Sequence, residues 1–176
     1  MNEIIKKNGV TFGVIIGLTL ILTTTLIYTI DLKYFTSWWI GLINLGIHAA
    51  LSIFLMIKTK KDIGNVFPFK DAFKTYFYCA LTAVSITVLF NVILFNIIDP
   101  GAKETIKELS INYAAELLQK FNAPAEKINE TLKELQSVDQ LSVGNLLKGG
   151  FSSLAISSIF GLLLAAIFKT KTSQSL

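Results

Sequence analysis

Residues 10–30 read Val-Thr-Phe-Gly-Val-Ile-Ile-Gly-Leu-Thr-Leu-Ile-Leu-Thr-Thr-Thr-Leu-Ile-Tyr-Thr-Ile, 21 residues without an Asp, Glu, Lys or Arg. A helix rises about 1.5 Å per residue, so such a run covers about 30 Å, the thickness of the hydrocarbon core of a bilayer. Three further runs share the character: 38–57, 75–98 and 149–168. Together the four take 85 of the 176 residues and none of the 28 charged ones, which all fall in the other 91. A buried helix of a soluble bundle is the competing reading, but it would need a polar face, and these runs have none. Lipid offers bare backbone groups no partners, so each run is predicted to be a helix. The expected fold is all-α: an integral-membrane four-helix bundle in one domain.

Lys6 and Lys7 before the first run resemble the start of a signal peptide. The run is too long for one, however, and its exit through Tyr28, Thr29, Ile30 and Asp31 lacks a small-x-small cleavage pattern. It reads as a retained span. Lysine placement sets the orientation. With the N-terminus inside, the inner segments 1–9, 58–74 and 169–176 hold nine Lys and three acids, net +6. The outer segments 31–37 and 99–148 carry net −2. The positive-inside rule then places both termini in the cytoplasm and 99–148 outside, in a bacterial inner membrane. Tyr28, Tyr34, Phe35, Trp38 and Trp39 gather at the outer edge, and Phe73, Tyr76, Phe77 and Tyr78 at the inner one.

Hydrophobicity cannot draw helices together in lipid, so small residues and interhelical hydrogen bonds must. Gly9, Gly13 and Gly17 repeat every four residues in the first span, and Gly149, Ser153, Ser157 and Gly161 in the fourth. Residues four apart share a helix face. The two glycine ridges are therefore expected to make the first and fourth spans the intimate pair, with a homo-oligomer interface as the competing use of either ridge. Cys79, Ala83, Thr87 and Asn91 line the third span in the same way.

Asn44, His48 and Ser52 form a polar stripe on the second span, with Asn91 as a candidate partner on the third. A titratable residue in a membrane is costly to place and suggests function. Polar glue between helices is the plainer reading, and it is the one expected here.

The link 58–74 is basic and aromatic. Gly64 and Asn65 mark a turn, and Pro68 favours starting the next helix. Phe67, Phe69 and Phe73 are expected among the headgroups as an interfacial elbow. The outer loop repeats Ile106, Leu109, Tyr113, Leu117 and Phe121 at helical spacing, breaks at Asn122-Ala123-Pro124, and resumes with Ile128, Leu132, Leu135 and Val138. This pattern predicts an αα-hairpin, 102–121 and 124–138. Glu126, Glu130 and Glu134 lie four apart; a solvated face is expected there rather than a cation site.

The composition excludes much chemistry. One His, one Cys and no Arg leave no zinc pattern, disulfide framework, P-loop or dinucleotide fingerprint. His48 and Cys79 are placed at different depths, His48 near mid-bilayer and Cys79 near the inner edge, too far apart for a dyad. No catalytic, metal or cofactor-binding residues are therefore expected, and dispersed lysines do not suggest nucleic acid as a partner.

The box before the third span, Gly64, Phe67, Phe69, Ala72, Phe73 and Lys74, resembles the Gly-x-hydrophobic-Thr/Ser-Phe-x-x-Ala-Phe pattern of domain-of-unknown-function family 4199, small four-span proteins mostly of Bacteroidota. Pro68 departs from that pattern. The stretch from Tyr113 to Phe168, two acidic helices followed by a Gly-rich span beginning Lys148-Gly149-Gly150, is similar to the family as well. The resemblance implies the membrane location and four-span architecture, and carries no activity or site residue. The functional expectation is a non-enzymatic membrane protein, a scaffold or partner binder that contacts another protein through 99–148. The alternative is a small transporter or channel component using the stripe at His48.

Overall fold

The structure, a computed structural model, describes residues 3–170. Lys171, one of the nine inner lysines, lies outside the described residues. The chain is all-helical: α1 (Glu3–Ile30), a 3-10 turn (Leu32–Thr36), α2 (Trp38–Asp62), α3 (Phe69–Ile93) continuing into a π-helical turn (Leu94–Ile98), α4 (Ala102–Lys120), α5 (Ala125–Ser137) and α6 (Val143–Phe168). α1, α2, α3 with its π turn, and α6 are each long and apolar enough to cross a membrane. They contain the four predicted runs, and α4–α5 form the hairpin between spans three and four. All four reach past the apolar runs, because polar residues continue the backbone hydrogen bonds once the chain leaves lipid.

The helix ends follow from local chemistry. After α2, Gly64 (φ 80°) and Asn65 (φ 66°) take the left-handed conformation that Gly and Asn tolerate best. The Gly64 amide donates to Lys61 O and the Asn65 amide to Lys60 O, a Schellman closure. Asn122 (φ 51°) ends α4 in the same way: its amide donates to Gln119 O and that of Ala123 to Leu118 O. The Asp31 side chain accepts from the Lys33 amide to open the 3-10 turn. The Lys33 ammonium, 2.8 Å away, also holds the Asp31 carboxyl below its usual range.

α3 is the centre of the bundle. Gly9, Gly13 and Gly17 of α1 face it, not α6. A Cβ added at Gly9 would stand 2.6 Å from Thr75 O, and one at Gly13 2.6 Å from Cys79 O, so the two backbones touch. At Gly17 the nearest atom is Ile86 Cγ2, at 3.1 Å. α6 packs on another part of α3. Gly161 lies flat on the Tyr76 ring, where a Cβ would be 2.5 Å from Cδ1, and Gly150 lies against Val88. The expected α1–α6 pair is thus replaced by two pairs that share α3. The glycines close on what α3 offers: backbone carbonyls at Thr75 and Cys79, the Tyr76 ring, and the side chains of Ile86 and Val88.

At the end carrying the chain termini, Met56, Phe67, Ala72, Tyr76, Ala80, Leu164 and Ala165 form a closed cluster. Phe67 is fully buried there, which corrects its expected place among the headgroups; Phe69 remains exposed. Thr170 holds the link: its hydroxyl accepts from the Phe67 amide and donates to Asn65 O, and its amide donates to Phe67 O. At the same end the Asn8 side-chain Nδ2 donates to Thr59 Oγ1 (3.2 Å) and Asp62 Oδ2 (2.9 Å).

The other end is tied differently. Leu94, Phe95, Ala102 and Ile106 seat the hairpin on the ends of α1 and α3. Asp99 accepts from the Tyr28 hydroxyl and the Ala102 amide, and Lys103 pairs with Asp139 at 3.1 Å. α2 buries only Ser52, Leu55, Met56 and Thr59, all in its half nearer the termini. Its other half carries exposed Trp38, Leu42, Ile43 and Leu45, and Gly41 and Gly46 meet open space.

Candidate functional site

Where α2 gives up its buried contacts, a cavity of about 380 Å³ lies among α2, α3 and α6. His48 comes from α2, Ala83, Thr87 and Asn91 from α3, and Asn145, Gly149, Ser153 and Ser157 from α6. Gln140, in the link before α6, lines it at the hairpin end. Leu20 of α1, Val84 and Val88 of α3 and Leu146 of α6 make up much of the rest, and among the described residues no Asp, Glu or Lys takes part in the lining.

His48 reaches Tyr76: Nε2 is 3.0 Å from the hydroxyl, and which partner donates depends on the imidazole tautomer. Tyr76 is fully buried, edge-on to Phe160 at 5.8 Å and to His48 at 6.2 Å between ring centres. Ser52 and Ser157 lie beside its hydroxyl. Ser52 Oγ, Thr87 Oγ1 and Asn91 Oδ1 are buried without a well-formed hydrogen bond. Each unsatisfied buried group costs about 1–3 kcal/mol. Thr87 and Asn91 also contribute to the cavity wall.

The predicted stripe divides. Asn44 turns to α1, accepting from Thr23 Oγ1 at 3.2 Å, and does not line the cavity. His48 and Ser52 turn to Tyr76, and Asn91 shares the cavity with His48 without bonding to it. Four residues advance a helix by about 400°, so a stripe at that spacing winds about 40° per step and leaves one interface for the next. The α6 ridge winds likewise. Gly149 meets nothing within 4 Å and Ser153 is exposed to the cavity, while Gly161 packs and Gly150, one residue past the predicted position, does the packing expected of Gly149.

Cys79 lies ten residues into α3, one turn beyond Tyr76. It packs with Phe12, Ile16, Leu55 and Ala83, and no bond or ring contact joins it to His48 among the described residues. Tyr76 itself, expected at the interface, is the residue that sequence reading missed. Ala72, Tyr76, Ala80 and Ala83 share a face, so extending the Cys79 ridge back by one turn would have found it.

The model of the family described as protein of unknown function (DUF4199) matches residues 11–170. The chain belongs to the DUF4199 family. The match takes in all four spans and the hairpin, as the box before the third span implied. In this DUF4199 chain the box residues Phe67 and Ala72 are fully buried, and Gly64 carries the left-handed turn that presents them. No curated protein and no solved structure matches the chain.

Proposed function

We propose that this DUF4199 chain is a small transporter or channel component that admits an uncharged, hydrogen-bonding solute to the cavity at His48, acting without catalysis. The observation that carries this reading is a cavity of about 380 Å³ within a helical bundle, where polar groups from three elements stand among apolar side chains and, among the described residues, no charged one. Its volume falls in the range of roughly 300–1,000 Å³ typical of small-molecule sites. An ion entering it would lose water with no counter-charge in return, whereas a neutral solute can be met by amides and hydroxyls. Gln140 and Ser153, both exposed, line the cavity and can meet such a solute. With both termini cytoplasmic, as the lysine distribution argues, the Gln140 and Asn145 side opens to the outside.

The test is solute flux into liposomes, read by light scattering with polyols, urea and small amides. Protein vesicles should take up at least one of these faster than empty ones. His48→Ala should change that rate several-fold, and Ser153→Trp, which fills the cavity, should abolish it. Wild-type vesicles no faster than empty ones, or variants that leave the rate unchanged, would end the reading.

A scaffold role has one observation in its favour: Tyr113, Leu117 and Phe121 are exposed along one edge of α4. It ranks second because it gives no account of the polar cavity.

A further inference from the structure

The exposed edge of α4 continues a buried one. Ala102 and Ile106 press on Leu94 and Phe95 at the end of α3, with Tyr28, Leu32 and Phe35 packed around them. Helical spacing carries the same face on through Leu109 to Tyr113, Leu117 and Phe121, which are 37%, 40% and 77% exposed. At its base this face packs on the end of α3, where that span leaves its apolar run. From Ile106 to Phe121 the helix advances about 22 Å.

The level of that plane is marked beside it. α4 rests on the 3-10 turn, where Tyr34 stacks edge-on against Trp39 at 6.1 Å and Lys33 sits over the Tyr34 ring. Trp38 and Trp39 are exposed at the start of α2. Exposed Trp and Tyr at the mouth of an apolar helix are the usual marker of the bilayer interface. Lys120 flanks the apolar edge near the tip, four residues after exposed Glu116, and Glu126, Glu130 and Glu134 are exposed on α5. An apolar edge with a lysine at its tip suits a helix lying in the headgroup region.

We propose that α4 docks its Tyr113–Leu117–Phe121 edge on the lipid surface at the hairpin end of the bundle, so that the hairpin lies along the membrane and does not stand away from it. The occupant of the edge is phospholipid, in the layer where headgroups meet acyl chains.

Spin labels test this in the full chain, reconstituted in phosphatidylcholine vesicles. Cys79 is the only native cysteine and is fully buried, which leaves an introduced cysteine as the accessible thiol. Labels are placed singly by Leu117→Cys, Phe121→Cys and Glu130→Cys. At 117 and 121, lipid-soluble oxygen should relax the label several-fold more than an aqueous nickel chelate does, and at 130 the order should reverse. Equal aqueous access at all three positions would overturn the proposal, and the hairpin would then stand free. Shielding from both reagents at 117 and 121 would overturn it too, since a protein would then cover the edge. Two positions on the same edge guard against a local disturbance by either substitution.

Discussion

Gly13→Leu is expected to separate α1 from α3 and to strip the protein of most of its stability in detergent. A single Cβ at this position already stands 2.6 Å from Cys79 O and 2.6 Å from Thr82 Cβ. The nearest obstacle is a backbone carbonyl, which cannot swing aside as a side chain can. Overpacking costs about 1–3 kcal/mol where neighbours can adjust, and more where they cannot. Leucine here adds four carbons where one does not fit, so the loss should reach or exceed that upper figure. The close approach also supports Cα–H···O contacts, each worth perhaps 0.5–1 kcal/mol, and these go when the helices part. Gly149→Leu and Gly46→Leu are the controls, because both positions face open space. Their stability should stay within about 0.5 kcal/mol of wild type. Thermal aggregation in detergent, followed by size exclusion, reads all three. If Gly13→Leu melts with the wild type, backbone contact between α1 and α3 does not hold the bundle.

The second large effect is expected at Tyr76, which joins packing to the polar site. Tyr76→Ala removes a fully buried ring from the cluster of Met56, Phe67, Ala80 and Leu164. Loss of a buried aromatic costs about 3–5 kcal/mol. The same change takes the seat from under Gly161 and the partner from His48. Tyr76→Phe keeps the ring and loses only the hydroxyl. Interhelical hydrogen bonds in membranes average about 0.6 kcal/mol, so this variant should be only slightly less stable. The gap between the two variants separates ring packing from polar glue. Gly161→Leu attacks the same contact from α6 and should be nearly as damaging alone. In the double variant with Tyr76→Ala, the leucine can occupy the vacated space, so the combined loss should fall well short of the sum. Equal stability of Tyr76→Ala and Tyr76→Phe would show that the ring contributes nothing beyond its hydroxyl.

Much of the fold was legible because it follows from local chemistry. Runs without charge gave the spans, Asn65 and Asn122 gave the stops, and the spacing from Ile106 to Phe121 gave α4. What was not legible depends on which helix meets which. Spacing shows that Gly9, Gly13 and Gly17 present a flat face, but not whether that face closes on glycines or on carbonyls. The link 58–74 misled for a related reason. Its aromatics suit headgroups by composition, and only the position of Thr170, more than a hundred residues later, draws Phe67 inward. The site was partly visible. His48 stood out as the chain's one histidine, placed in a span, and Asn91 was paired with it correctly as to place. Ser52 and Asn44 were joined to them by a four-residue rule that ignores winding, and Tyr76 was set aside as an interfacial aromatic.

The hold of Thr170 on Asn65 and Phe67 has a consequence for the order in which the chain is made. α1, α2 and α3 are complete by residue 98, and α1 can meet α3 while the hairpin is still being synthesised. The link between α2 and α3 cannot be fastened then, because the residue that fastens it comes at the far end of α6. The α1–α3 contact is thus available early in synthesis, and the closure around Phe67 comes last, as a latch that shuts only when the final span has arrived.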